Sequence, residues 1–260
     1  MNRLAFTICF NAAHHLLHNN YAEYLLTDVL DYWVISEGAV MSGSSPYCIG
    51  DNTEYQIDGR SIDSTNEVLD DLKTRFPDKV VVLRKPGLWN SKTEMENSAI
   101  DTIREKYPEG WLWQIDADEQ WTASDLLCNE QYLLDNNARI GDAKFYQYVG
   151  KDIIAIGDNW GGNSMSRLWK WQGEKCITHE PPVMDISGKT VLMPQKFHHY
   201  SYVHDCDVRF KSNWYGYGEE FYQRWKKLQM QTEFPRPLSE LFIGWEGVGG
   251  VIIKQQIKPM

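Results

Sequence analysis

Residues 111–119 read Trp111-Leu112-Trp113-Gln114-Ile115-Asp116-Ala117-Asp118-Glu119. An apolar run of strand formers passes directly into three carboxylates within four residues. The run fits a buried strand. If the strand continues into the acids, Asp116 and Asp118 point the same way and Ala117 points opposite. Two like charges that close repel strongly unless a cation sits between them. Hard divalent cations such as Mn2+ or Mg2+ take carboxylate oxygens and keep positions open for phosphate oxygens. Asp116 and Asp118 are therefore the expected metal ligands, with Asp116 also on the side of a bound diphosphate. The competing reading makes the acids helix caps and a solvated turn, because Thr122-Ala123-Ser124-Asp125 follows like a helix start.

Upstream of this run, strand and helix patterns alternate. Leu4–Phe10, Tyr32–Ser36 and Lys79–Arg84 read as strands, with Trp111–Ile115 as the fourth. Tyr21–Leu30 carries Tyr21, Tyr24, Leu25 and Val29 at helical spacing. Ser64–Phe76 and Lys92–Tyr107 read as helices ending before Pro77 and Pro108. Residues 41–60 are rich in Gly, Ser, Asp and Asn and read as a loop. Alternation of this kind predicts an α/β fold with a mostly parallel central sheet flanked by helices. In such sheets a ligand sits outside the carboxyl ends of the strands.

Downstream the pattern is less regular. Lys144–Val149, Met165–Trp171 and Val191–His199 are strand candidates, and Val208–Leu228 reads as one aromatic-rich helix despite Gly216 and Gly218. No structure is assigned beyond Pro235, where Gly244, Gly247, Gly249 and Gly250 cluster. The 11 Trp and 14 Tyr are core fillers in the first instance. Sugar rings also stack on flat apolar faces, so Trp160, Trp169, Trp171, Trp214 and Trp225 are candidate ligand platforms.

Composition narrows the function classes. The chain has 260 residues, 42% hydrophobic and 24% charged, with net charge -10. Residues 1–130 hold 10 basic and 22 acidic side chains, and residues 131–260 hold 16 and 14. This balance argues against a non-specific nucleic-acid binder, which needs a positive face. An acidic half that binds phosphate needs a metal to screen repulsion. No apolar run is long enough for a transmembrane helix. Cys9, Cys48, Cys128, Cys176 and Cys206 are scattered without a CxxC, which reads as reduced thiols and a cytoplasmic setting. The N-terminus reads as a buried first strand in preference to a signal peptide. His14, His15 and His18 read as a polar helix entry in preference to a metal site.

An apolar strand ending in Asp-x-Asp after an alternating first half resembles the glycosyltransferases of the GT-A fold, in particular family-2-like and family-17-like members. Further stretches are similar. Phe10-Asn11 ends the first strand, and Ser36-Glu37-Gly38 ends the second. Pro86-Gly87-Leu88-Trp89-Asn90-Ser91-Lys92, with Glu94, Glu96 and Asn97, resembles the helix start that flanks the donor. Arg167 and His179-Glu180-Pro181-Pro182 resemble the acceptor-side segment, and His198-His199-Tyr200-Ser201-Tyr202-Val203 resembles the stretch before the last helix. The usual Asp-Asp-Gly-Ser after the second strand is Ser-Glu-Gly-Ala here, and residues 41–60 have no counterpart.

The resemblance implies a single GT-A-like domain over residues 1–260. Its first half, about 1–130, would bind a nucleotide-diphosphate sugar, and its second half, about 131–260, a glycan or glycoconjugate acceptor. Asn11, Glu37, Lys92, Asn97, Asp116 and Arg167 would contact the donor. Asp116, Asp118 and His199 would hold Mn2+ or Mg2+, with His198 as alternative to His199. Glu180 would be the catalytic base of an inverting transfer, with Asp185 and Glu119 as rivals. Two other classes stay open: a metal-dependent phosphoester or nucleotide-sugar hydrolase, and a non-catalytic carbohydrate-binding protein.

Overall fold

Strand Gly110–Gln114 is wholly buried, and it pairs with Arg3–Cys9 on one side and Met165–Trp171 on the other. A computed structural model describes residues 1–41, 43, 48–50, 52–157, 164–242 and 249–254. Within them the chain forms two compact units: Met1–Asp118, Thr122–Ala143 and Met165–Gln195, and Glu119–Trp121, Lys144–Ser164 and Lys196–Met260.

The first unit is built on a seven-stranded sheet. Its order is Thr190–Leu192, Ile140–Ala143, Met165–Trp171, Gly110–Gln114, Arg3–Cys9, Tyr32–Glu37, Val80–Leu83. Only Met165–Trp171 runs against its neighbours, so the sheet is mostly parallel as the alternation predicted. Parallel strands are covered on both faces and carry apolar residues without strict alternation. Tyr32–Glu37 is buried at every position. On one face Leu4, Phe6, Tyr32, Val34 and Leu112 pack with Ala99, Ile100 and Ile103 of helix Lys92–Lys106. Trp33 and Trp113 lie out of phase with Tyr32, Val34 and Leu112 and face the other side. There the Trp113 indole donates to Glu130 Oε1 (3.2 Å) on helix Ala123–Asp135.

Capping explains where the helices begin. Ser91 Oγ accepts the Glu94 N–H (3.1 Å) ahead of Lys92–Lys106. Thr122 and Asp125 form a reciprocal capping box ahead of Ala123–Asp135. The helix start read at Thr122 is therefore real.

The second unit has a six-stranded sheet ordered Arg236–Pro237, Gly250–Lys254, Ile153–Gly157, Phe145–Gly150, Phe197–His199, Glu119–Gln120. Helices Asp205–Trp214 and Gly218–Gln229 supply Val208, Phe221, Tyr222, Trp225 and Leu228 to a core with Val149, Ile153, Tyr202, Leu238 and Ile252.

Several local expectations need correction. Val191–His199 is not one strand. It is Thr190–Leu192 and Phe197–His199, in different sheets, interrupted around Pro194, which cannot donate to a ladder. Val208–Leu228 is two helices, separated where Gly216 takes φ +71°. Residues 41–60 contain all but the last residue of a small hairpin, Gln56–Ile57 with Arg60–Ser61. The tail beyond Pro235 contributes two strands. Trp169 and Trp171 are fully buried, and Trp214 stacks on Phe210. Trp225 donates to the carbonyls of Val149 and Tyr202, both at 2.9 Å. These are packing tryptophans; Trp160, Gly244 and Gly247 lie outside the described residues.

Candidate functional site

The strand order of the first unit reverses between Arg3–Cys9 and Gly110–Gln114. The second and third parallel strands lie on one side of Arg3–Cys9, and the fourth returns to the other. Such a switch point leaves a crevice at the carboxyl ends. Phe10-Asn11 and Ile115-Asp116 leave the strands there. Ile115 is pinned by a hydrogen bond from the Thr7 hydroxyl to its carbonyl, and its own N–H donates to the Phe6 carbonyl (3.2 Å).

Asp116 is where the sequence placed it, but not on a strand. The ladder stops at Gln114, Asp116 follows in an irregular segment, and Ala117-Asp118 form a turn. Strand alternation therefore does not set the directions of the two acids. Asp116 Oδ2 accepts from Arg167 Nη2 at 3.0 Å, and Oδ1 accepts from Gln114 Nε2 at 3.1 Å. The Arg167 side chain is 4% exposed and that of Asp116 24%. Arg167 Nη1 also donates to the Ser166 carbonyl (3.2 Å). Arg167 thus holds Asp116 in place. Gln114 is 1% exposed, and its buried Oε1 has no hydrogen-bond partner among the described residues. A buried acceptor in that state calls for a donor from water or a ligand.

Asp116 and Asp118 are carboxylates of the kind that Mn2+ or Mg2+ takes, and the Gln114 amide lies beside Asp116. Within the first unit no third His, Cys, Asp or Glu atom completes a cluster with Asp116 and Asp118 among the described residues.

Glu37 ends its strand wholly buried. Its carboxylate accepts from the Ser61 N–H (2.9 Å) and Arg60 Nη1 (3.3 Å), with Arg84 Nε at 3.9 Å. Asn11 takes the left-handed conformation at φ +48°. Its N–H donates to Ser61 Oγ (2.8 Å), its Nδ2 to the Tyr55 carbonyl (2.8 Å), and its Oδ1 accepts the Ile62 N–H (2.9 Å). The hairpin at the end of the unassigned polar insert is therefore fastened to the ends of the first two strands by Asn11 and Glu37.

Three glycines let backbones meet here. A Cβ on Gly38 (φ +137°) would lie 2.9 Å from the Gly59 carbonyl oxygen, and one on Gly59 (φ +77°) 2.1 Å from that of Gly87. Beside them a cavity of about 60 Å³ is lined by Ile8, Cys9, Phe10, Gly38, Val40, Lys92 and Met95. Lys92, the first residue of its helix, brings the cavity a cation. Burial, reinforced by the Glu37 charge, pushes the Cys9 thiol well up, so it stays protonated.

Asn97 is committed to the chain itself. Its Nδ2 donates to the Cys176 carbonyl and its Oδ1 accepts the Cys176 N–H, both at 2.9 Å. It clamps helix Lys92–Lys106 to strand Cys176–Thr178. Glu180 follows that strand, its side chain 50% exposed and its Oε1 3.7 Å from His179 Nε2. Sequence reasoning missed what holds His179: Glu96, wholly buried, brings Oε1 to 2.8 Å from His179 Nδ1. The partners are 83 residues apart, and only the weak helix-start similarity touched Glu96.

His199 and His198 belong to the second unit. His199 Nδ1 meets Gln147 Oε1 (2.9 Å), and Gln147 Nε2 donates to Ser201 Oγ (2.9 Å). That amide orientation puts a proton on Nδ1 and, in the neutral ring, the lone pair on Nε2. His198 Nδ1 meets the Tyr148 hydroxyl (2.8 Å).

No family model and no curated protein matches the sequence. Among solved structures, S. aureus TarS 1-349 in complex with UDP is 8% identical, covering 88% of this chain and 71% of that one at TM-score 0.43. The same protein in complex with UDP-GlcNAc is 10% identical, with 88% and 72% covered at TM-score 0.41. A 4-diphosphocytidyl-2C-methyl-D-erythritol synthase is 12% identical, with 65% and 74% covered at TM-score 0.37. The chain spans 66% of a further TarS 1-349 chain and 43% of a longer TarS chain. Likeness at this level does not extend to residue roles.

Proposed function

We propose that the protein is a metal-dependent glycosyltransferase that moves a sugar from a nucleotide-diphosphate sugar to a hydroxyl of a glycan or glycoconjugate, with inversion. In this reading residues 1–260 act as one GT-A-like catalytic domain, donor-binding over about 1–130 and acceptor-binding over about 131–260. The observation that carries it is Asp116, held by Arg167 and Gln114 at the carboxyl end of Gly110–Gln114 where the strand order reverses. A preorganised carboxylate beside an unsatisfied buried amide oxygen is equipped to receive a ligand.

Mn2+ or Mg2+, held by Asp116 and Asp118, would screen the diphosphate and stabilise it as leaving group. The remaining roles fall to this chain's own groups. Lys92 supplies a cation at the cavity by the first strand. Arg167 keeps Asp116 oriented. Asn11, Glu37 and Asn97 shape the donor-side walls. Glu180 is the carboxylate placed beside the acceptor hydroxyl, as base or as the charge that supports one. A cytoplasmic setting, with the five cysteines as thiols, is part of this reading. Among the described residues no helix is long and apolar enough to cross a membrane.

The test is a thermal-shift panel of nucleoside diphosphates and nucleotide sugars, with and without Mn2+. One nucleotide should raise the melting temperature only with metal, because a ligand selective for the native state stabilises by mass action. Asp116→Asn should lose that shift. A panel with no shift in either condition sinks the donor reading.

A further inference from the structure

We propose that His179 is a further catalytic residue: its Nε2 takes the proton from the attacking acceptor hydroxyl, and buried Glu96 is the positioning residue that makes this possible. The inference rests on the donor-binding reading above and names the atom that does the proton chemistry.

Glu96 is a carboxylate with no exposed surface. An ionised group in that position must be compensated by hydrogen bonds. It has two such partners: Oε1 meets His179 Nδ1 at 2.8 Å, and Oε2 accepts from Cys176 Sγ at 2.9 Å. The thiol is held in its protonated form by burial and then by the Glu96 charge, which together push it far up. It therefore remains a donor and leaves one carboxylate oxygen for the imidazole. A carboxylate only accepts, so His179 Nδ1 carries the proton and the neutral ring has its lone pair on Nε2. That nitrogen faces Glu180 Oε1 at 3.7 Å, in a residue half open to solvent. The groups facing the ring are thus Glu96 and Cys176 on the inner side and Glu180 on the outer. A buried acid, an oriented imidazole and an outward nitrogen make the arrangement a general base needs.

Position supports the same role. Glu96 and Lys92 are four residues apart on one helix and so share a face, about 6 Å apart along the axis. Lys92 lines the cavity at the carboxyl end of the first strand. The Asn97 clamp on Cys176 fixes the strand that carries His179 against that helix. In the step itself, the hydroxyl oxygen forms the new bond to the anomeric carbon. The bond from that carbon to the diphosphate breaks, and its electron pair leaves with the nucleoside diphosphate. The hydroxyl proton ends on Nε2, and the imidazolium lies between the Glu96 and Glu180 carboxylates. Loss of that proton to water restores the ring.

The experiment measures nucleoside-diphosphate release by the full-length protein. The probes are UDP-GlcNAc, UDP-glucose and GDP-mannose with Mn2+, in water alone and with p-nitrophenyl glycosides as hydroxyl acceptors. His179→Gln should lower kcat about 10²- to 10⁴-fold with the donor-induced thermal shift intact. Glu96→Gln should lower kcat at least tenfold and move the acid limb of the pH profile to lower pH, because an adjacent carboxylate favours the imidazolium. A Glu96 of purely structural role would leave that limb in place. Glu180→Gln should cost less than His179→Gln. His179→Gln within threefold of wild type overturns the proposal and leaves donor binding standing. So does a chain that is stabilised by a donor yet releases no nucleoside diphosphate. Absence of any donor shift fells both readings.

Discussion

Glu37 and Glu96 are both wholly buried carboxylates of the first unit, yet they are satisfied in opposite ways. Glu37 meets a backbone N–H and two guanidinium groups, Arg60 and Arg84, which keep their charge at any working pH. Glu96 meets an imidazole and a thiol, neither of which carries a fixed charge. The first environment fixes a loop. The second can change state without unfolding anything. Burial alone does not separate scaffold from chemistry; the protonation range of the partner does.

The comparison breaks most visibly at Glu37→Ala. This variant leaves the Ser61 N–H without its acceptor and removes the carboxylate that Arg60 pairs with, while Arg84 keeps Asp70 at 2.6 Å. Its stability should fall by about 2–3 kcal/mol, read as a lower urea midpoint at unchanged slope. A loss under about 0.5 kcal/mol would remove Glu37 from the scaffold. Glu96→Gln keeps an acceptor for the imidazole N–H, so it should lose only about 1 kcal/mol of stability while losing turnover. If it unfolds as easily as Glu37→Ala, the two sites are alike and the contrast is void.

Glu130 sharpens the contrast with the smallest effect. Burial raises its carboxyl above the ordinary glutamate range, against the pull of Arg3. A raised carboxyl contributes stability that is complete below the unfolded-state value and is lost as pH rises through the folded one. The advantage of wild type over Glu130→Gln should therefore be greatest in acid and shrink as pH rises past the ordinary glutamate range. Melting temperatures of the pair across acid pH check the sign. Glu94 runs the other way. Burial opposes its ionisation, but hydrogen bonds from Lys85 and the Asn90 N–H bring it below the usual range. Its contribution is present above the unfolded-state value and lost as pH falls through the folded one.

Local chemistry made much of the fold legible. The strand Met165–Trp171 and the helix starts at Ser91 and Thr122 follow from residue type and capping, which act over a few positions. Two breaks were not read because each turns on a single residue inside an apolar run: Pro194 and Gly216. The position of Asp116 just past strand Gly110–Gln114 was legible because one segment carries it. The site was not legible where the fold joins distant segments. Nothing in His179-Glu180-Pro181 announces Glu96, and nothing in residues 41–60 announces that Asn11 and Glu37 fasten Ser61.

The meeting of Gly38, Gly59 and Gly87 has a consequence for any attempt to retarget the protein. Where main chain lies against main chain, there is no side chain to exchange, and the smallest addition at Gly38 or Gly59 collides with a carbonyl. That stretch of wall is closed to libraries and to drift alike. Selectivity at the neighbouring cavity can be rewritten only from its other side, through Phe10, Val40, Lys92 and Met95. Variant collections concentrated on those four positions should yield folded proteins with altered ligand preference, whereas diversity at Gly38 and Gly59 should yield few folded proteins at all.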